Sequence, residues 1–247
     1  MPEQIGARVT KIPLKSDWSI DFTALEMALK DHAKLLVLNF PHNPTGAHFS
    51  LGTLKQVINL CDQYGVWILS DEVFRGLEHN KQEQLPAVAD LYQRAVSLGV
   101  MSKAFAMPAI RLGWLLCQDH DLYQQMIAIK NHLSICVSGL DVTFMKKIMP
   151  FYDLIWHRSV DLINHNKSLL SNALKDSQTF NCQFGSAAAT CFVTRKDAQI
   201  WATSLADTHK LKLLPGHCFI TQQQGFRLCL AQSGFQQHMN TWLNHSV

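Results

Sequence analysis

Several features are scarce in this sequence, and each shortage excludes a class of protein. No apolar run approaches the ~20 residues that a membrane-spanning helix needs. The first stretch, MPEQIGARVTKIPL, lacks the apolar segment of a signal peptide. Lysine and arginine form no dense run and the net charge is only +3, which argues against nucleic acid as the main partner. The sequence therefore predicts a soluble cytoplasmic protein with neither membrane nor nucleic acid among its partners.

The cysteines show no pairing pattern either. The chain has seven of them, an odd number, and no CxxC motif, and several stand inside apolar runs such as GWLLCQ and FRLCLA. Such a distribution is typical of buried free thiols in a reducing compartment. It also lacks the ligand spacing of a structural metal centre, so we expect no metal site.

What the first half does contain is an alternation of short apolar runs with amphipathic stretches. This alternation is typical of βαβ units and a mainly parallel sheet, and hence of the α/β class. The runs and helical patterns predict strands over 7–14, 35–40, 66–72, 95–100 and 113–118, and helices over 21–34 and 51–64, the first of them capped by Asp21.

The pattern changes beyond residue 119. Long helical stretches run from about 121 to 135 and from about 151 to 176, followed by the strand-like pieces AAATCFVT, KLKLLPG and GFRLCLAQ. We interpret these as a smaller C-terminal α+β domain behind a helical connector. The sequence thus predicts a large domain over 1–145 and a small domain over 146–247.

Polar residues follow three of the predicted strands. Asn43 comes after the strand at 35–40, Asp71 ends the strand at 66–72, and Lys103 follows the strand at 95–100. Because function gathers at the carboxyl ends of parallel strands, we expect the three to converge on one small molecule. Lys103 stands alone in MSKAFAMPAIRLGW, with the next charge at Arg111. A surface helix would surround a lysine with other charges, and an apolar core would exclude it because an unpaired ammonium is costly to bury. Because neither case fits this stretch, we expect Lys103 to be buried for its chemistry.

Four segments in order, NFPHNPTG (39–46), SDEVFRG (70–76), MSKAFAMPAIRLGW (101–114) and FRLCLA (226–231), carry a family resemblance. Together they resemble the class I/II aminotransferases, the pyridoxal-phosphate enzymes of fold type I. The resemblance extends over essentially the whole chain and is weakest over 145–210. It implies the large domain of that fold followed by its small domain.

The resemblance implies a role for each polar residue in holding the cofactor, pyridoxal 5'-phosphate. The amine of Lys103 would hold the aldehyde as an imine, once desolvation lowers its pKa, and would move a proton between substrate and cofactor. A carboxylate at Asp71 would keep the pyridine nitrogen protonated. The side chain of Asn43 would hydrogen-bond the phenolic oxygen of the ring.

Phosphate and substrate binding fall to other residues. Ser102 and the planar fork of Arg111 would bind the phosphate. By resemblance alone, Arg227, with Asn43, would bind the carboxylate of the amino-acid substrate. Ordinary structural interpretations stay open: Lys103 could be a snorkelling surface lysine, Asp71 a cap, Arg111 an ion-pair partner and Arg227 a plain strand arginine.

The sequence departs from the family pattern at three points. Phe74 stands where the family usually has a tyrosine that bonds the phenolic oxygen, a loss we expect to weaken cofactor binding by ~1–2 kcal/mol. Val100 stands where a serine often contacts the phosphate. The sequence also starts late relative to the family, so we expect an N-terminally truncated member without the helix N-terminus and the aromatic ring that contact the cofactor.

The main hypothesis is therefore a pyridoxal-phosphate-dependent aminotransferase that moves an amino group between an amino acid and a 2-oxo acid. By resemblance we expect a homodimer. Two alternatives stay open: another reaction on the same scaffold, such as cyclisation or elimination by a lyase, and a non-catalytic truncated remnant.

Overall fold

The computed structural model describes residues 2–219 and 223–245, which form two four-stranded sheets with flanking helices. Within those ranges no helix combines the length and the apolar character that crossing a bilayer requires.

The first sheet is mainly parallel, as the sequence predicts. Its strands run in the spatial order β1-β2-β3-β4. The first three are parallel to one another, and β4 pairs antiparallel with β3. The strands are β1 Leu35–Asn39, β2 Trp67–Asp71, β3 Ala95–Val100 and β4 Gly113–Cys117, and the helices beside them are α1 Phe22–Lys30, α2 Leu51–Gln63 and the short α3 Val88–Leu91.

The helices start where the sequence supplies caps. Asp21 Oδ1 accepts from the backbone N–H of Ala24 at 3.0 Å, and Ser50 Oγ accepts from the N–H of Thr53 at 3.0 Å. Each contact satisfies one N–H group that would otherwise lack a partner in the first turn of α1 or α2. The helix cap predicted at Asp21 is confirmed.

The two faces of the first sheet differ sharply. One face carries Leu38, Ile68 and Ala95, which are buried with residues of α1, α2 and α3 in one apolar cluster. Along each strand the alternate side chains point to the opposite face. There Leu35 is 53% and Val37 58% exposed. We call this second side, which also carries Asp71 at its edge, the open face of the sheet.

The second half of the chain is built on an antiparallel sheet in the order β5-β6-β8-β7. Its core is an aromatic cluster in which Phe180, Trp201, Phe226 and Trp242 meet mostly edge to face. The elements are α4 His120–Leu133, α5 Gly139–Ile148, α6 Tyr152–Leu174, β5 Asn181–Cys182, β6 Thr190–Thr194, α7 Ala198–His209, β7 Leu214–Pro215, β8 Gly225–Cys229 and α8 Phe235–Leu243.

Three local predictions were wrong or incomplete. Residues 7–14 form no strand, because no strand within 2–219 and 223–245 pairs with them; instead, Arg8 contacts the carbonyl oxygen of Asp31. The sequence pattern did not indicate α5, a helix with no buried residue. The KLKLLPG segment contributes only the two residues of β7.

The thiol prediction was also only partly right. All seven cysteines are unpaired, but they are not uniformly buried. Cys61 and Cys191 are buried, whereas Cys136 and Cys218 are exposed. Among the residues that the structure describes, no group of three or more His, Cys, Asp or Glu side chains could hold a metal ion.

Candidate active site

The carboxyl ends of β1 and β2 are tied together by Asn39. It is the partner of Asp71 in the strand register, and its Nδ2 donates to the Asp71 carbonyl oxygen at 3.3 Å. Its Oδ1 accepts from the backbone N–H of Asn43 at 2.9 Å. One amide side chain thus fixes both the end of β2 and the start of the turn that holds Asn43.

The turn itself is held by His42, Thr45 and Gly46. Nδ1 of His42 lies 2.7 Å from Oγ1 of Thr45, and the N–H of Gly46 donates to the His42 carbonyl at 2.8 Å. Burial lowers the pKa of His42 to about 4, so its ring is neutral at physiological pH. Gly46 has φ +74°, a left-handed conformation that glycine adopts without strain.

Arg227 reaches this turn from the second sheet. Its Nη1 donates to Oδ1 of Asn43 at 3.0 Å, across 184 positions of sequence. Its guanidinium lies 5.3 Å from the ring centroid of Phe219, close enough for a cation–π contact. Because Oδ1 of Asn43 is engaged, its Nδ2 is the atom that faces other partners as a donor.

Asp71 presents a carboxylate at the end of β2. Oδ1 accepts from the backbone N–H of Val73 at 3.2 Å, and the residue is half-buried. Within residues 2–219 and 223–245, Oδ2 has no hydrogen bond of its own. A carboxylate with one oxygen fixed and one available can accept from a protonated ring nitrogen.

The expectation that Lys103 is buried was wrong. The residue is exposed, while its neighbours Ala104 and Phe105 take the buried positions in the turn after β3. Its Nζ lies 5.6 Å from the ring centroid of Phe74 and makes no ion pair within the described part of the chain. The apolar residues of this turn pack against the core, and the lysine is therefore left on the solvent side.

Ser102 and Arg111 stand in the same turn as Lys103. The N–H of Met101 donates to the Leu112 carbonyl at 3.0 Å, which closes the turn. Ser102 is half-buried, and Arg111 is exposed with Nη1 donating to the Pro108 carbonyl at 2.8 Å. Contacts among the described residues join Asn43, Asp71 and Arg227 through Asn39. They do not join Ser102 or Arg111 to that network.

A loop of the second half packs directly on the Asn43 turn. The N–H of Ala187 donates to the Gly46 carbonyl at 3.1 Å. A Cβ atom added at Gly185 would lie 1.9 Å from the Gly46 oxygen, so the two backbones meet without room for a side chain. We call residues 183–190, which connect β5 to the first residue of β6, the 183–190 loop.

The 183–190 loop is held from its other side by His79 and Lys167. Nε2 of His79 contacts the Ala188 carbonyl at 2.9 Å, and Lys167 Nζ lies 3.2 Å from Nδ1 of the same ring. A carbonyl only accepts, so Nε2 carries the proton and Nδ1 accepts from the ammonium. Burial lowers the pKa of His79 to about 4, which keeps this neutral form.

Sequence reasoning missed Asn39 as a site residue. The signal was present, because a polar residue that ends an apolar strand faces the same edge as the residues after it. The sequence pattern indicates Asn39 only as the end of a strand and points to Asn43 for the chemistry. Only the register of β1 against β2 shows that the amide of Asn39 reaches both Asp71 and Asn43.

Comparison with known proteins gives a consistent picture. The sequence model of the family "Aminotransferase class I and II" matches residues 3–238. The chain is 26% identical over 220 residues, 87% of its length, to "Capreomycidine synthase" of Streptomyces vinaceus. It is 35% identical over 117 residues, 45% of its length, to "Arginine--pyruvate transaminase AruH" of Pseudomonas aeruginosa. It spans 56% of the first relative and 29% of the second.

The fold matches as well. A crystal structure of a PLP-dependent aminotransferase from Streptococcus suis superposes with a TM-score of 0.87 at 23% identity. That match covers 98% of this chain and 64% of the other. A C-S lyase of Staphylococcus hominis superposes with a TM-score of 0.85 at 17% identity and covers 98% and 62% of the two chains. The predicted fold class is confirmed.

Proposed function

The chain belongs to the class I and II aminotransferase family, and from that premise we propose that it functions as a pyridoxal-phosphate-dependent aminotransferase. It would move an amino group between an amino acid and a 2-oxo acid. The observation that carries the proposal is the contact of Arg227 with Asn43 at 3.0 Å, joined through Asn39 to Asp71. These contacts link Arg227, whose guanidinium can bind a substrate carboxylate, to the backbone of Asp71, whose carboxylate can pair with a ring nitrogen.

The donor set fits pyridoxal 5'-phosphate. When bound, this cofactor supplies an aldehyde that takes up the amino group and a pyridine ring that accepts electrons from the substrate carbon. The free oxygen of Asp71 holds a proton at the ring nitrogen, and Nδ2 of Asn43 donates to the phenolic oxygen. Nζ of Lys103 is an exposed amine, accessible to an aldehyde from solvent.

The remaining residues bind the two anionic groups. Ser102 Oγ and the guanidinium of Arg111 bind the phosphate, for which Arg111 keeps donors beyond the one that contacts Pro108. Arg227 binds the substrate carboxylate with the donors that Asn43 does not use. With the cofactor bound, Lys103 Nζ would be the group that moves a proton between the substrate carbon and the cofactor.

The test is a pyridoxal phosphate titration of the purified chain, followed by borohydride reduction and peptide mass mapping. We expect one reduced adduct, on Lys103, and none in Lys103→Ala. Lys196→Ala, which removes another exposed lysine, should leave the adduct unchanged. Adducts scattered over many lysines, or no binding at all, would contradict the proposal for this chain and favour a non-catalytic remnant.

One observation favours a different reaction, cyclisation or elimination, with the same fold and cofactor. The relative aligned over 87% of this chain is named as a synthase rather than a transaminase. Product analysis with a panel of amino acids, with and without a 2-oxo acid, separates the two. Turnover without the oxo acid would favour cyclisation or elimination over amino transfer.

We also propose that the protein is a cytoplasmic homodimer with a large domain over 1–145 and a small domain over 146–247. Seven unpaired thiols support a reducing compartment. Leu133 and Leu140, 82% and 84% exposed, support apolar contact between subunits. Light scattering on the purified protein tests the dimer, and limited proteolysis tests the domain boundary, which falls within α5.

A further inference from the structure

Two thiols lie at the base of the 183–190 loop. Cys182 ends β5 and Cys191 is in β6. In the antiparallel register Cys182 is opposite Val193, so Cys191 lies diagonally across on the same face of the sheet. Diagonal neighbours of an antiparallel pair lie about 7–8 Å apart at Cα, and here the two cysteine side chains interact. The loop between them is therefore closed at its base by a pair of thiols.

The two thiols differ in environment. Cys191 is 1% exposed, and both its hydrogen bond with Cys182 and its burial raise its pKa well above the ordinary value. It therefore keeps its proton. Cys182 is half-buried, and solvent reaches it. The pair thus consists of one accessible sulfur and one protected sulfur beside it.

Lys167 adds a positive charge to the same place. Its Nζ donates to the Gly185 carbonyl of the loop at 2.8 Å and interacts electrostatically with both thiols. Burial lowers the pKa of this lysine. Lys167 therefore places a cationic group beside the two thiols at the base of the loop.

We propose that Cys182 and Cys191 are an oxidation site at which hydrogen peroxide converts the two thiols to a disulfide. The Cys182 sulfur attacks the peroxide, the O–O bond breaks, and a sulfenic acid forms while one water leaves. The Cys191 sulfur then attacks the Cys182 sulfur, and its proton leaves with the hydroxyl as a second water. Two thiols lose two electrons, and hydrogen peroxide is reduced to two waters.

The fold permits the small movement that the bond requires. Diagonal neighbours in a sheet are somewhat farther apart at Cα than disulfide-bonded residues. β5 is a two-residue strand at the edge of its sheet, and among the described residues its one partner strand is β6. Its end can move toward Cys191 without breaking a second set of strand contacts.

The disulfide would act on the 183–190 loop. It would clamp the base of the loop whose Ala187 N–H donates to Gly46 and whose Gly185 packs on the same turn. The expected effect is a less mobile loop and slower exchange of the Ala187 amide hydrogen. This inference concerns two thiols and does not depend on the proposed aminotransferase activity.

The test treats the full chain with hydrogen peroxide, alkylates the remaining thiols, and maps peptides by mass spectrometry without reduction. We expect a peptide pair joined at Cys182 and Cys191 that dithiothreitol separates. Cys182→Ser and Cys191→Ser should each lose it, whereas Cys136→Ser, which changes an exposed cysteine, should keep it. If Cys191→Ser does not fold, Cys182→Ser alone decides.

Other outcomes would overturn the proposal. Alkylation of both cysteines after peroxide treatment would show that the pair does not react. Oxidation of Cys182 alone, or a bond from Cys182 to a different cysteine, would show that Cys191 does not resolve it. Hydrogen exchange at Ala187 that is equally fast in reduced and oxidised protein would overturn the effect on the loop.

Discussion

Nη1 of Arg227 lies 3.0 Å from Oδ1 of Asn43, and this contact joins β8 of the second sheet to the turn after β1 of the first. Asn43 is held in turn by Asn39, which also contacts the end of β2. A substrate carboxylate bound by the guanidinium would thus lie beside residues from both sheets. The predictions below test this arrangement and the packing around it.

Replacing Arg227 by lysine should weaken substrate binding more than turnover. Lysine keeps the positive charge but lacks the planar guanidinium, which can donate to Asn43 and to a substrate carboxylate at the same time. Loss of a charged hydrogen bond should raise KM for the amino acid roughly 10- to 100-fold. Initial rates over a range of amino-acid concentrations measure this. Arg8→Lys, at an exposed ion pair, is the control, and an unchanged KM in Arg227→Lys would refute the role.

Replacing Phe74 by tyrosine should strengthen cofactor binding. The ring is 5% exposed and lies beneath Lys103 Nζ at 5.6 Å, so a hydroxyl there would add a donor near the amine. We expect a gain of about 1–2 kcal/mol in the free energy of pyridoxal phosphate binding. Absorbance titration measures it, with Phe151→Tyr at an exposed ring as the control. An equal or weaker affinity would contradict the expectation.

Stability should fall in acid because of buried neutral histidines. Burial lowers the pKa of His79 to about 4, below the ~6.5 expected when unfolded. Between these values the unfolded chain binds a proton that the folded chain does not. The free energy of unfolding therefore falls as the pH drops through this window, and it does not change with pH above it on account of this group.

His79→Gln removes that titration. Urea unfolding at a series of pH values should show a slope reduced by up to ~1.4 kcal/mol per pH unit within the window. His165→Gln, at an exposed position of α6, should keep the native slope. If His79→Gln keeps it too, His79 does not stay neutral in the folded chain.

Gly185→Ala should disrupt the packing of the 183–190 loop on the Asn43 turn. The added Cβ would meet the Gly46 carbonyl oxygen and carbon at 1.9 and 2.0 Å, so the two backbones must separate. We expect destabilisation of about 1–3 kcal/mol, measured by urea unfolding. Gly139→Ala is the matched control, since nothing lies within 4 Å of its new Cβ. Equal stability of the two variants would exclude the close packing.

Much of the first half could be predicted from the sequence, because its strands are uninterrupted apolar runs that alternate with amphipathic helical patterns. β1, β2 and β3 all fall within such runs, and a polar residue of the site ends or follows each of them. The segment 7–14 shows the limit of this reasoning. Its residues suit a strand, but a strand also needs a neighbour, and the sequence of a segment does not reveal whether one exists.

The site shows a similar limit. Asn43, Asp71 and Arg227 are tied through Asn39, and the motifs indicated the first three. The exposure of Lys103 could not be predicted, because it depends on which side of the turn its apolar neighbours pack. A lone lysine in an apolar stretch is compatible with either burial or a solvent-facing turn. Asn39 required the strand register, which no local pattern encodes.

The open face of the first sheet has a thermodynamic consequence. Leu35 and Val37 are more than half exposed in the folded chain, so unfolding transfers little additional surface of theirs to water. The heat capacity change of unfolding scales with newly exposed apolar surface, and so does the denaturant m-value. Both should be smaller than in a chain of this length whose sheet is covered on two sides. The curve of stability against temperature should therefore be unusually flat.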